Sequence, residues 1–309
     1  MKSTLLTIIL AAGLFFLQSC RQNTIADNGR TVVEVIIDNL APGEPADTIV
    51  SALAYRVNAL YPDANASVMF DDSKQLIRIE LKGVDSTAVN PLIFTAHGYM
   101  RIMEVVKCMD FFEGDGPENL PEAAKDTLSR LSIKFIDIDA IGSVAAKDTA
   151  AVARLLDPSR LKKPFSYILA WGRPYDFYYG DDTGNLPLYC LKVSRGNMSL
   201  NEGVKSSEVE ESDYSENVYS VGITLTNEYA QRFQALTREN IDNYLAIVLD
   251  NVVLSAPRVH QEIFGGKIQI TGNFDFAEAA LFNAFLGGPV INSKLRIHSI
   301  KQSKINEGP

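Results

Sequence analysis

The sequence contains few of the residues that build metal and redox sites. Its 309 residues include three histidines and three cysteines. His97, His260 and His298 have none of the spacings of a helical ligand pair, and neither a Cys-x-x-Cys nor a His-Glu-x-x-His motif occurs. The sequence therefore predicts no metal site and no cofactor.

Catalytic motifs are missing too. Ser255 precedes Ala256-Pro257 instead of lying between glycines in a strand-to-helix turn, so it lacks the setting of an activated nucleophile. The run Gly265-Gly266-Lys267 lacks the earlier glycine and the following Ser or Thr of a phosphate-binding loop. Glu210 and Glu211 are adjacent and would point to opposite faces of a strand, which suits neither a glycosidase nor a metal site. We therefore expect no enzyme.

The only long apolar run lies at the N terminus. Lys2 is followed by an uncharged run from Leu5 to Leu17, which is too short to span a bilayer comfortably and predicts a secretory signal over residues 1–19. Leu17-Gln18-Ser19-Cys20 resembles the lipobox of bacterial lipoproteins, in which the signal is cut before the cysteine and the thiol carries the lipid. The resemblance implies a lipid at Cys20 as the only membrane anchor. An ordinary signal peptide with an incidental cysteine is the alternative.

Basic residues are outnumbered by acidic ones. The formal charge of −9 becomes −10 once Lys2 leaves with the signal. A surface this acidic repels phosphate backbones and anionic lipid heads. The composition therefore argues against nucleic acid and against a peripheral membrane surface as partners.

Two cysteines remain after the signal. Export to an oxidising compartment permits a disulfide between Cys108 and Cys190. Both lie in or just after strand-like segments, and unpaired cysteine is among the most buried residue types. We favour buried thiols, with a bridge as the alternative.

The apolar pattern predicts the order βαββαβ twice. The first run has strands at 32–37, 67–70, 76–81 and 99–106 and helices from Pro45 and over 86–97. The second has strands at 218–225, 245–249, 252–254 and 294–300 and helices from Asn227 and over 274–285, and Asp275 with Glu278 predicts a capping box. Each run is typical of a small antiparallel sheet with its helices on one side.

The region between the two runs is irregular. Its acidic stretch, residues 208–213, predicts a solvated linker, with cation binding as the alternative. Its aromatic residues Tyr175, Phe177, Tyr178 and Tyr179 are candidate binding contacts. Packing under a loop is the alternative for these aromatics.

The stretch from Tyr244 to Gly272 carries the most specific pattern. It contains, in order, Leu249-Asp250, Ser255-Ala256-Pro257, Ile263-x-Gly265-Gly266 and Ile270-Thr271-Gly272. This order resembles the glycine-pair motif in the first periplasmic domain of SecD, the accessory subunit of the bacterial Sec protein translocase. The resemblance implies a structural role for the motif residues, which are Asp250, Ala256, Pro257, Gly265, Gly266 and Gly272.

The resemblance extends over about residues 30 to 300. Further motifs that resemble SecD or fused SecDF proteins lie at 56–60, 165–171, 188–193, 221–226, 236–241, 273–279 and 286–289. We therefore expect an α+β fold of two ferredoxin-like units. A base-like unit at 31–107 and a head-like unit at 218–301 would be joined by an irregular α/β insertion at 108–217. Residues 20–30 would be a tether, and residues 302–309 a tail.

The family also suggests a function. In SecDF the periplasmic domain is thought to contact the emerging polypeptide and to change orientation as protons cross the membrane helices. This sequence resembles only the periplasmic part, it lacks the family's Asp-Leu-x-Gly-Gly stretch, and it has Gly287-Gly288-Pro289 in place of the family's Gly-x-Leu-Pro turn. We therefore expect a binding module rather than a proton-driven motor.

Three hypotheses follow. The first is a lipid-anchored, non-catalytic protein of the cell envelope, facing the periplasm, that binds exported polypeptides or the Sec translocase, since antiparallel sheets with exposed edges can accept an extended segment. The second is a structural or assembly lipoprotein that reuses the fold to bind an unrelated protein. The third is an enzyme whose site lies in the irregular middle region, which a cluster of residues with shifted pKa values would favour.

Overall fold

The computed structural model describes residues 25–111, 122, 140–156, 165–173, 185–212 and 216–304. The predicted signal peptide, Cys20, the rest of the predicted tether up to residue 24 and residues 305–309 of the predicted tail lie outside the described residues. Residues 25–30 and 302–304 belong to strands, which corrects the predicted tether and tail at those positions. The same holds for the candidate aromatics Tyr175, Phe177, Tyr178 and Tyr179. The described residues form a mixed α+β fold.

The strands and helices alternate irregularly along the chain. The strands are β1 (Ile25–Asn39), β2 (Ser67–Asp71), β3 (Leu76–Val84), β4 (Met100–Val106), β5 (Gly142–Ala145), β6 (Tyr167–Gly172), β7 (Asn185–Lys192), β8 (Met198–Ser199), β9 (Val204–Glu211), β10 (Tyr219–Leu225), β11 (Leu245–Leu249), β12 (Val252–Ser255), β13 (Lys267–Phe274) and β14 (Lys294–Lys304). The helices are α1 (Ala46–Leu60), α2 (Leu92–Thr95), α3 (Cys108–Phe111), α4 (Thr149–Leu155), α5 (Leu200–Gly203), α6 (Asn227–Glu239) and α7 (Phe276–Gly287).

The chain divides into two compact units. The terminal unit comprises, among the described residues, 25–99, Val204–Ile223 and 273–304. The central unit comprises the described parts of Met100–Gly203 and Thr224–Gly272. Each unit is therefore assembled from segments that are far apart in the sequence.

The terminal unit is built on a four-stranded antiparallel sheet in the order β14-β1-β3-β2. Strand β1 pairs with β14 on one side and with β3 on the other. Its alternate residues Val33, Val35 and Ile37 are buried, as the two-residue period of a strand requires. Helix α1 buries Leu53 and Val57, which lie one turn apart on its apolar stripe, and packs against α7.

Arg56 of α1 is a buried cation in this unit. Its side chain is 0% exposed, and its guanidinium donates to the carbonyls of Ala96 at 2.7 Å and His97 at 2.6 Å. It also donates to the carbonyl of Pro289 at 3.3 Å and lies 4.8 Å from the ring centroid of Phe285. These carbonyls replace the water that a buried guanidinium loses.

Gly98 gives Arg56 the space it occupies. Its φ of +81° favours glycine, and a Cβ at this position would lie 2.5 Å from Arg56 Nη2. The positive φ and the short distance to Arg56 both favour glycine at position 98.

Glu44 connects the β1–α1 loop to the segment before β14. Its carboxylate accepts the backbone N–H groups of Asn292 at 2.8 Å and Ser293 at 2.7 Å, and it also accepts the Ser293 hydroxyl. Burial raises the pKa of Glu44, but the hydrogen bonds from Ser293 and Asn292 outweigh it and hold the pKa below its ordinary value. The ionised carboxylate thus stabilises the folded state.

One face of the four-stranded sheet carries a ladder of charges. Arg30 pairs with Glu80 at 3.1 Å, and Arg78 lies between Glu80 at 3.0 Å and Glu34 at 3.6 Å. The Ser299 hydroxyl donates to Glu34 at 2.7 Å, and this hydrogen bond is the main reason that the pKa of Glu34 is lowered. Side chains of opposite charge across neighbouring strands mark this face as polar.

Strand β9 corrects the predicted linker at 208–213. Residues up to Glu211 belong to β9, which lies next to β10, and the Glu210 side chain packs over Gly222. The acidic residues are mixed with Val204 and Val209 in a strand that has a partner to pair with. The prediction of a linker from charge density alone is therefore wrong for residues 208–211.

The central unit contains a seven-stranded sheet in the order β5-β7-β6-β12-β11-β4-β8. The predicted strand at 245–249 is confirmed as β11, and all five of its residues are buried, so both faces of the strand are covered. Strand β4 pairs with β11 from Leu245↔Glu104 to Leu249↔Met100. Strands β12 and β6 are parallel, with Val252 opposite Trp171.

The predicted grouping of strands into two sequential units is wrong. Strand β4 was assigned to the first unit, but it pairs with β11. Strand β14 was assigned to the second unit, but it pairs with β1. Strands β5 to β8 of the predicted insertion belong to the same sheet as β11 and β12. Alternating apolar residues show which face of a strand is buried but not which strand lies beside it. Grouping strands by their order in the sequence therefore predicted the wrong partners.

Two smaller expectations have different outcomes. The predicted helix over 86–97 is reduced to a 3-10 turn at Ser86–Ala88 and to α2. Cys190 is buried in an apolar cluster with Val106, Tyr167 and Leu188, as expected. The side chain of Cys108 lies outside the described residues, so the choice between thiols and a bridge stays a prediction.

We predict that Glu44→Gln destabilises the protein by about 1–3 kcal/mol at pH 7. The side-chain amide of glutamine would bring its own N–H donors to the backbone N–H groups of Asn292 and Ser293, which need an acceptor. The ionised carboxylate contributes fully above its unfolded pKa, near 4.5, and its contribution is lost as the pH falls through the lower folded pKa. The difference between the variant and the wild type should therefore be constant near neutrality and shrink below about pH 4.5. Urea unfolding followed by circular dichroism at several pH values measures it.

Glu208→Gln is the matched control, since Glu208 is exposed on β9 in the same unit. We expect it to change stability by less than about 0.5 kcal/mol. A loss for Glu44→Gln that is equally large at pH 3 and pH 7 would contradict the role of the ionised carboxylate.

Candidate functional site

The glycine-pair segment begins at the turn between β11 and β12. Asp250 has a φ of +53°, a conformation that Asp and Asn adopt more readily than most residues. Its backbone carbonyl accepts a hydrogen bond from Arg101 Nη2 at 2.7 Å. The turn joins the two strands predicted at 245–249 and 252–254, and Arg101 of the adjacent β4 holds it.

Ala256 and Pro257 follow the end of β12. The Pro257 carbonyl accepts the N–H of Leu245 at 3.1 Å, so contact with β11 continues past the last residue of the strand. Proline has no N–H to offer a further ladder. The chain leaves the sheet here.

Residues 258–266, which we call the strap, then run along α6 from its C-terminal end towards its first turn. Val259 exchanges backbone hydrogen bonds of 2.8 Å with Asp242 and Asn243, just beyond α6. The N–H of Ile263 donates to Thr237 Oγ1 at 3.0 Å. Hydrogen bonds from the backbone of the strap therefore hold it just beyond the end of α6 and beside Thr237 in the last turns of the helix.

Glu262 adds an ionic clamp to the strap. Its Oε1 accepts hydrogen bonds from Arg238 Nη2 at 2.8 Å and from Gln234 Nε2 at 2.6 Å. Gln234 and Arg238 lie one turn apart on α6. The hydrogen bond from Arg238 is the main reason that the pKa of Glu262 is lowered, and Glu262 in turn raises the pKa of Arg238. Both groups are solvated, so the clamp orients the strap more than it stabilises the fold.

The two glycines at the end of the strap have different surroundings. Gly265 has a φ of +77° and has open space where a Cβ would be. Gly266 has a φ of +65°, and a Cβ there would lie 2.5 Å from the Cβ of Ala230 on α6. The Gly266 carbonyl accepts the N–H of Leu225 at 2.8 Å. The second glycine thus allows the backbone to approach the helix closely.

Phe264 lies on the strap and is exposed to solvent. Its side chain is 66% exposed, and the neighbouring Ile263 donates its N–H to α6. Gly272, the last motif residue, follows in β13, and its carbonyl accepts from Arg173 Nη1 at 3.4 Å. The segment therefore has the geometry of a fixed surface with an exposed apolar side chain.

The sequence indicated part of this segment and missed another part. The structure brings Asp250, Ala256, Pro257, Gly265, Gly266 and Gly272 into one continuous path from β11 to β13. Sequence reasoning did not find Phe264 or the clamp between Glu262 and Arg238. Phe264 could have been noticed as a large apolar residue beside a flexible glycine pair, but the clamp joins residues 24 positions apart. Within the residues that the structure describes, no group of three His, Cys, Asp or Glu residues could hold a metal ion.

We predict that Gly266→Ala destabilises the protein more than Gly265→Ala. Both changes place a side chain at positive φ, which costs roughly 1–2 kcal/mol. Only Gly266→Ala also forces a methyl group against Ala230, and we expect this overlap to cost about 1–3 kcal/mol more. Urea unfolding of the two variants tests this prediction, and equal losses would contradict the close approach of the strap to α6.

Comparison with known proteins agrees with this geometry. Residues 181–289 match the family model described as SecDF, P1 head subdomain. The match begins within the predicted insertion at 108–217. A SecD subunit of Leptotrichia buccalis is 41% identical over 98 residues, which are 28% of this chain and 24% of that protein. A SecD subunit of Rhodothermus marinus is 36% identical over 135 residues, which are 42% of this chain and 21% of that protein.

A solved structure of a membrane component SecDF that enhances protein export shares the fold. It aligns with 87% of this chain and 99% of its own, with a TM-score of 0.50 and 18% sequence identity. The chain spans about a quarter or less of the length of the SecD subunits that it matches. The chain is thus similar to SecD subunits over part of its length, and residues 181–289 match the SecDF P1 head subdomain.

Proposed function

We propose that the protein is a non-catalytic accessory of protein export that binds exported polypeptides or subunits of the Sec translocase. The observation that carries this proposal is the match of residues 181–289 to the SecDF head subdomain. That match includes the whole strap, whose exposed Phe264 is suited to contact a protein rather than to perform chemistry. The structure of similar fold belongs to a protein that enhances protein export.

We also propose that the terminal unit corresponds to the ferredoxin-like base of the family domain. The strand order β14-β1-β3-β2 and the packing of α1 on α7 support this assignment. The base would then be completed by the last described strand and not by β4. The family's head would draw on segments of both units, because residues 181–289 include β9 and α7 as well as β11.

We place the protein at the periplasmic side of a membrane, attached through a lipid on Cys20. The SecD likeness supports the periplasm, and the resemblance of residues 17–20 to a lipobox supports the lipid. In the described ranges, no helix combines the length and apolar character needed to cross a membrane. The lipid would keep the domain close to the membrane that holds the translocase.

Partner capture in intact cells tests the proposed function. We expect translocase subunits or newly exported chains to be crosslinked to the protein carrying a tag after Pro309. The unanchored variant Cys20→Ala should capture less of them, because it can diffuse away from the membrane. If one unrelated envelope protein dominates instead, and no translocase subunit or exported chain is crosslinked, the protein is an assembly lipoprotein that reuses the fold and the proposal fails.

Lipid attachment has its own prediction. Growth with an alkyne fatty acid should label the wild-type protein and leave Cys20→Ala unlabelled, because the proposed acceptor is the thiol of Cys20. Cys108→Ala is the matched control and should label as strongly as the wild type. Labelling of Cys20→Ala, or loss of label in Cys108→Ala with unchanged protein level, would contradict attachment at Cys20.

A further inference from the structure

Strand β2 leaves one edge of the terminal sheet open. In the described part of the chain, β2 is the outermost strand and pairs only with β3, from Ser67↔Glu80 to Asp71↔Leu76. Such an edge presents unpaired backbone N–H and C=O groups. The opposite edge differs, because residues 86–97 run beside β14. The Ser86 hydroxyl donates a hydrogen bond to the side chain of Gln302, and the N–H of Ile291 donates one to the carbonyl of His97.

The open edge also lacks the usual protection against added strands. Natural edges are often blocked by lysine, proline or an inward-pointing charge. The sequence of β2, Ser-Val-Met-Phe-Asp, contains neither lysine nor proline. Its one charge, Asp71, lies at the end of the strand and pairs with Lys74 at 3.1 Å. The backbone groups of β2 are therefore accessible to a partner.

One side of this edge is apolar. Val68 and Phe70 lie opposite Ile79 and Ile77, which are fully buried, so all four share the helix-covered face. Val68 and Phe70 are nevertheless only half-buried, because the sheet ends there. An added strand would cover what remains exposed of both side chains.

Helix α1 continues this apolar side. Tyr55 packs against Gly287 and Gly288 beside α7, and on the opposite flank of α1 lie the half-buried Val50 and Ala54. Helix α1 contacts β2. We call Val50, Ala54, Val68 and Phe70 the β2 margin.

The other side of the edge is polar. Met69, which is 51% exposed, lies opposite Arg78 of the charged ladder. A strand added here would therefore have one apolar side, facing the β2 margin, and one side facing water and charge. Alternation of apolar and polar residues gives a strand these two sides.

We propose that the outer edge of β2 binds an extended stretch of polypeptide as an added strand, and that it prefers stretches with alternating apolar and polar residues. The inference rests on the proposed function and identifies where the polypeptide binds. Backbone hydrogen bonds would supply affinity for many different sequences, while the β2 margin would select the side that faces inward.

The size of the edge favours an unfolded segment over a second copy of the chain. Strand β2 has five residues. A strand pair of this length buries well under the roughly 1,200 Å² of a stable interface between folded proteins. An extended segment can bind weakly and reversibly with a smaller buried area. Reversible binding is what a polypeptide in transit requires.

The test uses the full chain and a fluorescent ten-residue peptide of alternating valine and threonine. Fluorescence anisotropy measures its binding beside two versions, one methylated at every valine nitrogen and one at every threonine nitrogen. Successive N–H groups of a strand point to opposite edges, so each version blocks one edge of the peptide. We expect one version to bind at least ~10-fold more weakly and the other to bind like the unmodified peptide.

Three variants locate the site. Val68→Lys places a charge in the β2 margin and should weaken binding at least ~10-fold, and the exposed Met69→Lys should weaken it in the same direction without affecting folding. Phe276→Lys is the matched control, since Phe276 is a 60% exposed apolar residue elsewhere in the same unit, and it should bind like the wild type. Thermal unfolding of each variant establishes that it is folded.

The outcomes separate this inference from the proposed function. The β2 site would be overturned if Val68→Lys, Met69→Lys and both methylation patterns left the affinity for the peptide unchanged. The partner capture in cells would still decide the proposed function. A dimer in sedimentation that Val68→Lys dissociates would assign the edge to a second copy and overturn the inference. Absence of exported chains and translocase subunits in cells would remove the proposed function, whatever the peptide does.

Discussion

The buried guanidinium of Arg56 is the interaction on which the terminal unit depends. A buried charge is tolerated only when its hydrogen bonds are replaced, and Arg56 finds carbonyl partners at Ala96, His97 and Pro289. The first two precede the central unit in sequence, and the third follows it. Arginine suits this position because its planar group offers several donors in a fixed arrangement. The same side chain therefore ties together the two parts of the chain that enclose the central unit in sequence.

A second charge fixes the same connection at its other end. Arg56 holds the carbonyl of Pro289, and Glu44 holds the N–H groups of Asn292 and Ser293, so a cation and an anion bind opposite backbone groups of one short segment. This segment determines where β14 begins. Because β14 pairs along β1 from Asn39↔Lys294 to Gly29↔Lys304, its start sets the register of that pairing. Two buried charged side chains thus specify a register that strand propensity alone would leave open.

The sequence predicted local features better than long-range ones. The strand at 245–249 and the capping box of Asp275 and Glu278 are confirmed, since each depends on neighbouring residues. The pairing of β14 with β1 was missed, because it joins strands more than 250 residues apart whose alternation fits several partners. In the candidate site the glycines were found from their motif. The strap's course along α6 was not, because it rests on contacts between Glu262 and α6 that have no local signature.

The region that matches the SecDF head subdomain, residues 181–289, includes segments of both structural units. Residues 181–289 end with α7, which buries Phe282 and Phe285. The helix packs against α1, which lies outside the matched region. A fragment limited to that region would also lack β14 and the sheet of β1 and β3, so its apolar helix face would be exposed to water. The packing of the matched region within the terminal unit therefore depends on a helix and strands that lie outside residues 181–289.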